Sequence, residues 1–203
     1  MTSLAKDNKI KYNKIRGGIT IPRIISGRAR GLKLETIPGE GTRPTADRVK
    51  EAFFNIIAEK IWGSSFADVF SGTGSMGGEA LSRNADEVVF IDNDPKCREV
   101  ILRNIGKIDL TRKGIVYCKD YRDVLAEIKP QDIFYVDPPY NKGLGEPCLK
   151  LISKYDLVKC GGVVVWEHDK TEEVSENIGK LIRYDERKYG RTRLSFYKLV
   201  KET

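Results

Sequence analysis

The sequence predicts an α/β fold: a mostly parallel sheet covered by helices on both faces, closed by a C-terminal antiparallel hairpin and preceded by a small basic extension. Three observations carry this expectation. Short apolar runs alternate with helix-like stretches from Phe66 to about residue 179, the pattern of parallel strands with crossover helices. After that the character changes to two runs around Tyr189-Gly190, which reads as a hairpin. The excess charge is confined to the first quarter of the chain, which sets that segment apart.

Residues 1–20 are charged, with Gly17-Gly18 as a hinge, and read as a flexible basic tail. Residues 21–44 read as a basic hairpin, with Arg23–Ser26 and Leu32–Glu35 as strands around the Gly27–Gly31 turn. Residues 45–203 form the body. Thr45 is a good N-cap for a helix running to about Lys60, with Val49, Phe53, Ile56 and Ile57 on its core-facing stripe. Strands are predicted at Phe66–Phe70, Glu87–Ile91, Gly114–Cys118, Asp132–Val136 and Gly162–Trp166. Helices are predicted at about 76–84, 95–106, 121–128, 145–155 and 171–179. Ile182–Arg187 and Leu194–Leu199 make the closing hairpin.

With 203 residues the chain can bury one well-packed core. No apolar run approaches the ~20 residues that span a bilayer, and the N-terminus has no signal-like apolar segment, so a cytoplasmic protein is expected. The four cysteines, Cys97, Cys118, Cys148 and Cys160, are scattered beside a single histidine, His168. They read as free buried thiols, with no metal site expected. His168 follows a strand without a nucleophile to pair with and stays unassigned.

Met1 to Glu51 holds 12 Lys/Arg against 5 Asp/Glu, and the rest of the chain holds 24 of each sign. A basic arm on a neutral body suits a polyanion, because Lys and Arg displace counterions condensed on phosphates. Arg23, Arg28, Arg30, Arg43 and Arg48 are the candidate RNA contacts. A lysine-rich solubilising tail is the competing reading for residues 1–18, and Arg48 can instead pair with Glu51 along its helix.

Asp137-Pro138-Pro139-Tyr140 follows an apolar strand, at the sheet edge where α/β proteins bind ligands. The prolines stiffen the loop and carry no N–H, leaving carbonyls to face a ligand. A carboxylate and a Pro138 carbonyl can accept both hydrogens of an exocyclic amine while Tyr140 stacks on the ring bearing it. A Pro-rich turn opened by an Asx residue is the alternative.

Gly72-Thr73-Gly74, with Gly77 three residues on, follows the first strand, and Asp92 and Asn93 follow the second. This satisfies the dinucleotide fingerprint, so a nicotinamide or flavin enzyme is a rival. Asp68, near the end of the strand before the loop, favours S-adenosylmethionine instead: it suits an ammonium and repels a pyrophosphate. Asp92 would then hold ribose hydroxyls, and Asp120-Tyr121 would meet the adenine, unless Asp120 is only a helix cap and Tyr121 a packed ring.

In this order, Asp68-x-Phe70-x-Gly72-x-Gly74, Asp92/Asp94, Asp120 and Asp137-Pro-Pro-Tyr140 resemble the class I S-adenosylmethionine-dependent methyltransferases. Arg23–Gly31, Arg43–Asn55 and Glu79–Ala85 narrow the resemblance to the RsmD family of bacterial ribosomal RNA guanine-N2 methyltransferases, over nearly all of Arg23–Leu199. Asn84 stands where that family usually has glycine, at a helix end where Asn also tolerates a left-handed backbone. The resemblance implies a Rossmann-like seven-stranded sheet, an RNA-binding N-terminal extension and S-adenosylmethionine as methyl donor. By the same resemblance, Asp68, Phe70, Gly72 and Gly74 cradle the methionine part, Asp92 takes the ribose and Asp120-Tyr121 the adenine. Asp137, Pro138 and Tyr140 receive the base. Thr45 touches the cofactor or merely caps its helix. The partner is ribosomal RNA or the small subunit, and the chain is expected to act as a monomer, without metal. A DNA adenine-N6 or cytosine-N4 methyltransferase remains an alternative, although the chain has no room for a separate target-recognition domain. A non-catalytic nucleotide-fold protein is the third.

Overall fold

The computed structural model describes residues 21–37, 44–108 and 113–200, with the backbone alone for 44–46. The basic tail 1–20 and Arg43 lie outside the described residues, as does the Thr45 side chain. Eight strands form one sheet in the order β3-β2-β1-β4-β5-β8-β7-β6. The first five in space are parallel: β3 Lys113–Cys118, β2 Glu87–Asp92, β1 Ser65–Val69, β4 Gln131–Val136 and β5 Val158–Asp169. β8 (Thr192–Leu199) pairs antiparallel with β5 and β7 (Leu181–Tyr189) with β8, as the closing hairpin requires.

Alternation along the strands splits the core between the two sheet faces. Phe66, Val88, Phe90, Ile133, Tyr135, Val163 and Val165 face one layer, with Phe53 and Phe54 of α1 (Pro44–Ile56) and Ala80 and Leu81 of α3 (Ser75–Ser82). Ala67, Val89, Ile91, Phe134, Val136 and Trp166 face the other, with α5 (Tyr121–Leu125) and α6 (Gly145–Lys154). Helix α4 (Pro95–Ile108) completes the first layer through Val100 and Ile101.

Several expectations are corrected. The α1 helix already includes Pro44, so Thr45 is inside it and is not its N-cap. The predicted helix to Lys60 is divided at Ile57, with α2 at Ala58–Ile61. No helix forms at 171–179. The Asp169 carboxylate accepts from the Thr171 N–H and hydroxyl, holding a tight local turn that competes with a helical start. Gly179 then has φ +59°, and the segment adds only the two-residue β6, Asn177–Ile178. That short edge strand makes the sheet eight-stranded rather than seven-stranded. Cys97 and Cys148 are buried as expected, but Cys118 is half-buried and Cys160 exposed.

The N-terminal hairpin is reduced to one bridge, Arg23 to Lys33, and is held on the body by side chains. The Glu79 carboxylate of α3 accepts from the N–H groups of Ile25 (2.7 Å) and Ser26 (2.9 Å) and from Arg83 (2.8 Å). Gly27 (φ +84°) brings the turn so close to α3 that a Cβ there would lie 1.9 Å from the Ser82 carbonyl oxygen. Ile24 and Leu34 join the same core as α1.

Candidate active site

The loops at the C-terminal ends of β1, β2, β3, β4 and β5 border a cavity of about 970 Å³. Gly72, Asp92, Asn93, Asp120 and Tyr121 line one part, and Asp137, Pro138, Pro139, Tyr140 and Glu167 another. A smaller space of about 210 Å³ continues beneath it between Asp68, Thr73, Lys50, Asp137 and Glu167.

Phe70, just past β1, adopts φ +66°, a strained conformation for a bulky residue that turns the chain sharply into the glycine loop. The turn is fixed because the N–H groups of Phe70 and Ser71 both donate to the Ile91 carbonyl, at 2.9 and 3.0 Å. Gly77 lets α3 lie on β2, since a Cβ there would sit 2.2 Å from the Phe90 ring. Gly74, with φ +73°, is the residue preceding α3. Thr73 gives its carbonyl to Asn104, 3.0 Å away, so the loop is tied to α4 as well.

Asp92 accepts from the N–H of Gly72 (2.8 Å) and of Asp94 (2.9 Å), which aims its carboxylate along the cavity wall. Asp120 caps α5 by accepting from the Arg122 N–H at 2.9 Å, yet it also borders the cavity. The capping reading of Asp120 therefore holds, and its side chain also faces the space where the other reading would put a ligand. Tyr121 is likewise a packed ring, 5% exposed and 5.1 Å from Phe70, and its buried hydroxyl has no protein partner.

Asp68 is 2% exposed and receives the Gly77 N–H at 2.8 Å. Burial pushes its pKa up to about 7, with the charge of Asp92 adding to the effect. The folded state therefore favours its proton. The resulting stabilisation is complete below the ordinary aspartate range and is lost as pH rises through about 7.

Asp137 lies one step beyond the Val136–Trp166 pair of β4 and β5, and Glu167 lies one step beyond Trp166 on β5. Burial, then the charges of Glu167 and Asp68, raises the Asp137 pKa well above its ordinary value. Glu167 accepts hydroxyl hydrogen bonds from Tyr135 and from Tyr140, the latter at 2.8 Å. Tyr140 is also 3.3 Å from the Thr192 hydroxyl. Sequence reasoning missed Glu167 and Thr192. The available signal was a lone carboxylate ending the apolar run Val163-Val164-Val165-Trp166.

His168 is 2% exposed, its ring nitrogens meet Ser195 Oγ at 3.0 Å and the Asp169 carbonyl at 3.1 Å, and it does not line the main cavity. Arg23, Arg28, Arg30 and Arg48 are all exposed, and Arg23 lies 3.8 Å from Asp47. None of the four borders the main cavity. Among the described residues, no group of three or more His, Cys, Asp or Glu side chains is arranged to hold a metal, and no helix is long and apolar enough to cross a membrane.

The family model described as Conserved hypothetical protein 95 matches residues 22–198. A Bacillus subtilis protein named putative rRNA methyltransferase YlbH is 36% identical over 180 residues, covering 87% of this chain and 98% of the relative. Ribosomal RNA small subunit methyltransferase D of Haemophilus influenzae is 34% identical over 166 residues, covering 80% of this chain and 84% of the relative. Among solved structures, the putative methyltransferase yhhF from Escherichia coli superposes with a TM-score of 0.78 at 29% identity, covering 87% of this chain and 97% of that one. Sequence motifs, strand order and family match converge, and the chain belongs to the Conserved hypothetical protein 95 family, that of the RsmD-like methyltransferases.

Proposed function

We propose that this protein is an S-adenosylmethionine-dependent methyltransferase that modifies the exocyclic N2 amine of a guanine in small-subunit ribosomal RNA. The observation that carries the proposal is a single cavity bordered by Asp92 and the glycine loop at one end and by Asp137-Pro138-Pro139-Tyr140 at the other. The names of the relatives support ribosomal RNA as the substrate.

The residues fit the donor. Asp68, a buried carboxyl raised to about 7, regains its charge beside a cationic ammonium. The Asp92 carboxylate suits vicinal hydroxyls, and the partnerless Tyr121 hydroxyl and Phe70 ring suit a purine. When bound, S-adenosylmethionine supplies an electrophilic methyl group on a sulfonium. The protein's part is orientation. Asp137 and the Pro138 carbonyl accept the hydrogens of the amine, directing its lone pair, while Tyr140 supports the ring. A strong base is unnecessary, because the nitrogen becomes acidic once methylated. The base must be unpaired or flipped to enter.

Incubation with labelled S-adenosylmethionine and small-subunit RNA, followed by nucleoside mass spectrometry, should yield N2-methylguanosine. No label on the RNA, with label on adenine or cytosine when DNA is offered in a parallel incubation, would overturn the proposal. Asp92→Ala should weaken S-adenosylmethionine binding by roughly 1.5–3 kcal/mol, the scale of a lost charge-assisted bond, as read by calorimetry.

Exposed Arg28 and Arg30 sit on the turn docked against α3, where they can follow a phosphate backbone. Their joint replacement by Ala should weaken RNA binding and flatten its salt dependence, which on single strands is roughly −0.7 per neutralised phosphate. Cofactor affinity should not change. An unaltered salt slope would assign this charge to solubility.

A further inference from the structure

We propose that Glu167 is a positioning residue of the acceptor pocket, holding the Tyr140 ring by its hydroxyl and presenting a second carboxylate beside Asp137. The inference rests on the functional reading above and adds a residue to it. The geometry is specific. Glu167 Oε1 receives the Tyr140 hydroxyl at 2.8 Å, and Oε2 receives that of Tyr135. Tyr135 is 1% exposed and packs edge-on against Phe53, with ring centroids 4.8 Å apart, so one end of this chain of hydrogen bonds is anchored in the core. Thr192 of β8 holds the Tyr140 hydroxyl from the other side at 3.3 Å. A stacking residue on a loop after two prolines is thereby fixed from two strands of the sheet. Without those hydroxyl contacts the ring would lose both of its fixed points.

The second effect is electrostatic. Burial raises the Glu167 carboxyl, and its two tyrosine donors hold that rise back, whereas Asp137 is raised further by burial and by the charges of Glu167 and Asp68, so of the two Asp137 keeps its proton to higher pH. Other ionisable groups face this pair. Asp68 on β1 adds to the negative charge, while Lys50 and Asp47 of α1 border the smaller space. Asp169 and Arg191 form an ion pair at 3.0 Å on the wall of the main cavity. Neutralising Glu167 alone should therefore let Asp137 ionise at lower pH.

Glu167→Gln and Tyr140→Phe should each lower the plateau kcat for RNA methylation roughly 10- to 100-fold, the scale of a misplaced reacting group, while leaving S-adenosylmethionine affinity near wild type. Combined, they should lose little more than either alone, since they remove one device. The acidic limb of the kcat profile should move to lower pH in Glu167→Gln, and by less in the same direction in Tyr140→Phe, which removes one of the two donors to Glu167. Carbon-13 carboxyl titration of Asp137, followed by NMR in the ligand-free protein, should show the same downward shift. An unchanged plateau, or an Asp137 titration that Glu167→Gln does not move, would overturn the proposal. Wild-type protein that transfers no methyl to RNA would instead overturn the functional reading, and the ligand-free titration would still decide the coupling between Glu167 and Asp137.

Discussion

Asp137→Ala should reduce methyl transfer to RNA to background, a loss of at least about 10²-fold, while S-adenosylmethionine binds within a few fold of wild type. The separation follows from position. Asp137 follows β4 beside Pro138 and Glu167, on the part of the cavity assigned to the acceptor base, whereas Asp92 and the Tyr121–Phe70 pair border the other part. Removing the carboxylate leaves the amine unoriented, and orientation is the main contribution open to the protein in a displacement at a methyl carbon. Single-turnover transfer and calorimetry on the same preparation check both halves. Transfer at near wild-type rate by this variant would place the chemistry elsewhere in the cavity.

Glu79→Ala should destabilise the fold by about 3–5 kcal/mol, the scale of removing one partner from a buried ion pair. Glu79 is fully buried in α3 and lies 3.8 Å from Lys50 Nζ and 2.8 Å from Arg83 Nε. Lys50, 3% exposed, would keep only the Arg23 carbonyl (2.6 Å) and Ser75 hydroxyl (2.9 Å), with its pKa already lowered by burial. The Ile25 and Ser26 N–H groups would lose their acceptor as well. For a chain of this size the midpoint of thermal unfolding should fall by on the order of 10 °C. Native-state hydrogen exchange should show lost protection at Ile25 and Ser26. An unchanged midpoint would mean that solvent replaces these contacts and that the basic extension is held by Ile24 and Leu34 in the core and by its bonds to Ser82 and Asn104.

The Glu79 contacts also show why the extension was only partly legible. The charge count set Met1–Glu51 apart from the rest of the chain, and Arg23, Arg28 and Arg30 are exposed. What holds it was hidden, because Glu79 and Ile25 are 54 residues apart and neither has a local pattern that announces the other. The 171–179 segment misled for a related reason. Its polar residues suit a helix by propensity, yet the Asp169–Thr171 bonds and Gly179 settle the backbone otherwise.

The five parallel strands, the closing hairpin and the placement of the glycine loop and Asp137-Pro138-Pro139-Tyr140 at strand ends were determined by the sequence alone. Short continuous apolar runs and turn residues are local properties, and a residue carries them wherever its neighbours in the chain go. The company those residues keep was decided by tertiary structure. Asp137 and Glu167 meet because the β4–β5 register sets Val136 opposite Trp166, and Tyr140 reaches Thr192 because β8 returns antiparallel beside β5. Register between strands depends on the whole packed sheet rather than on any stretch of it. A buried carboxyl's charge likewise depends on what folding brings within reach.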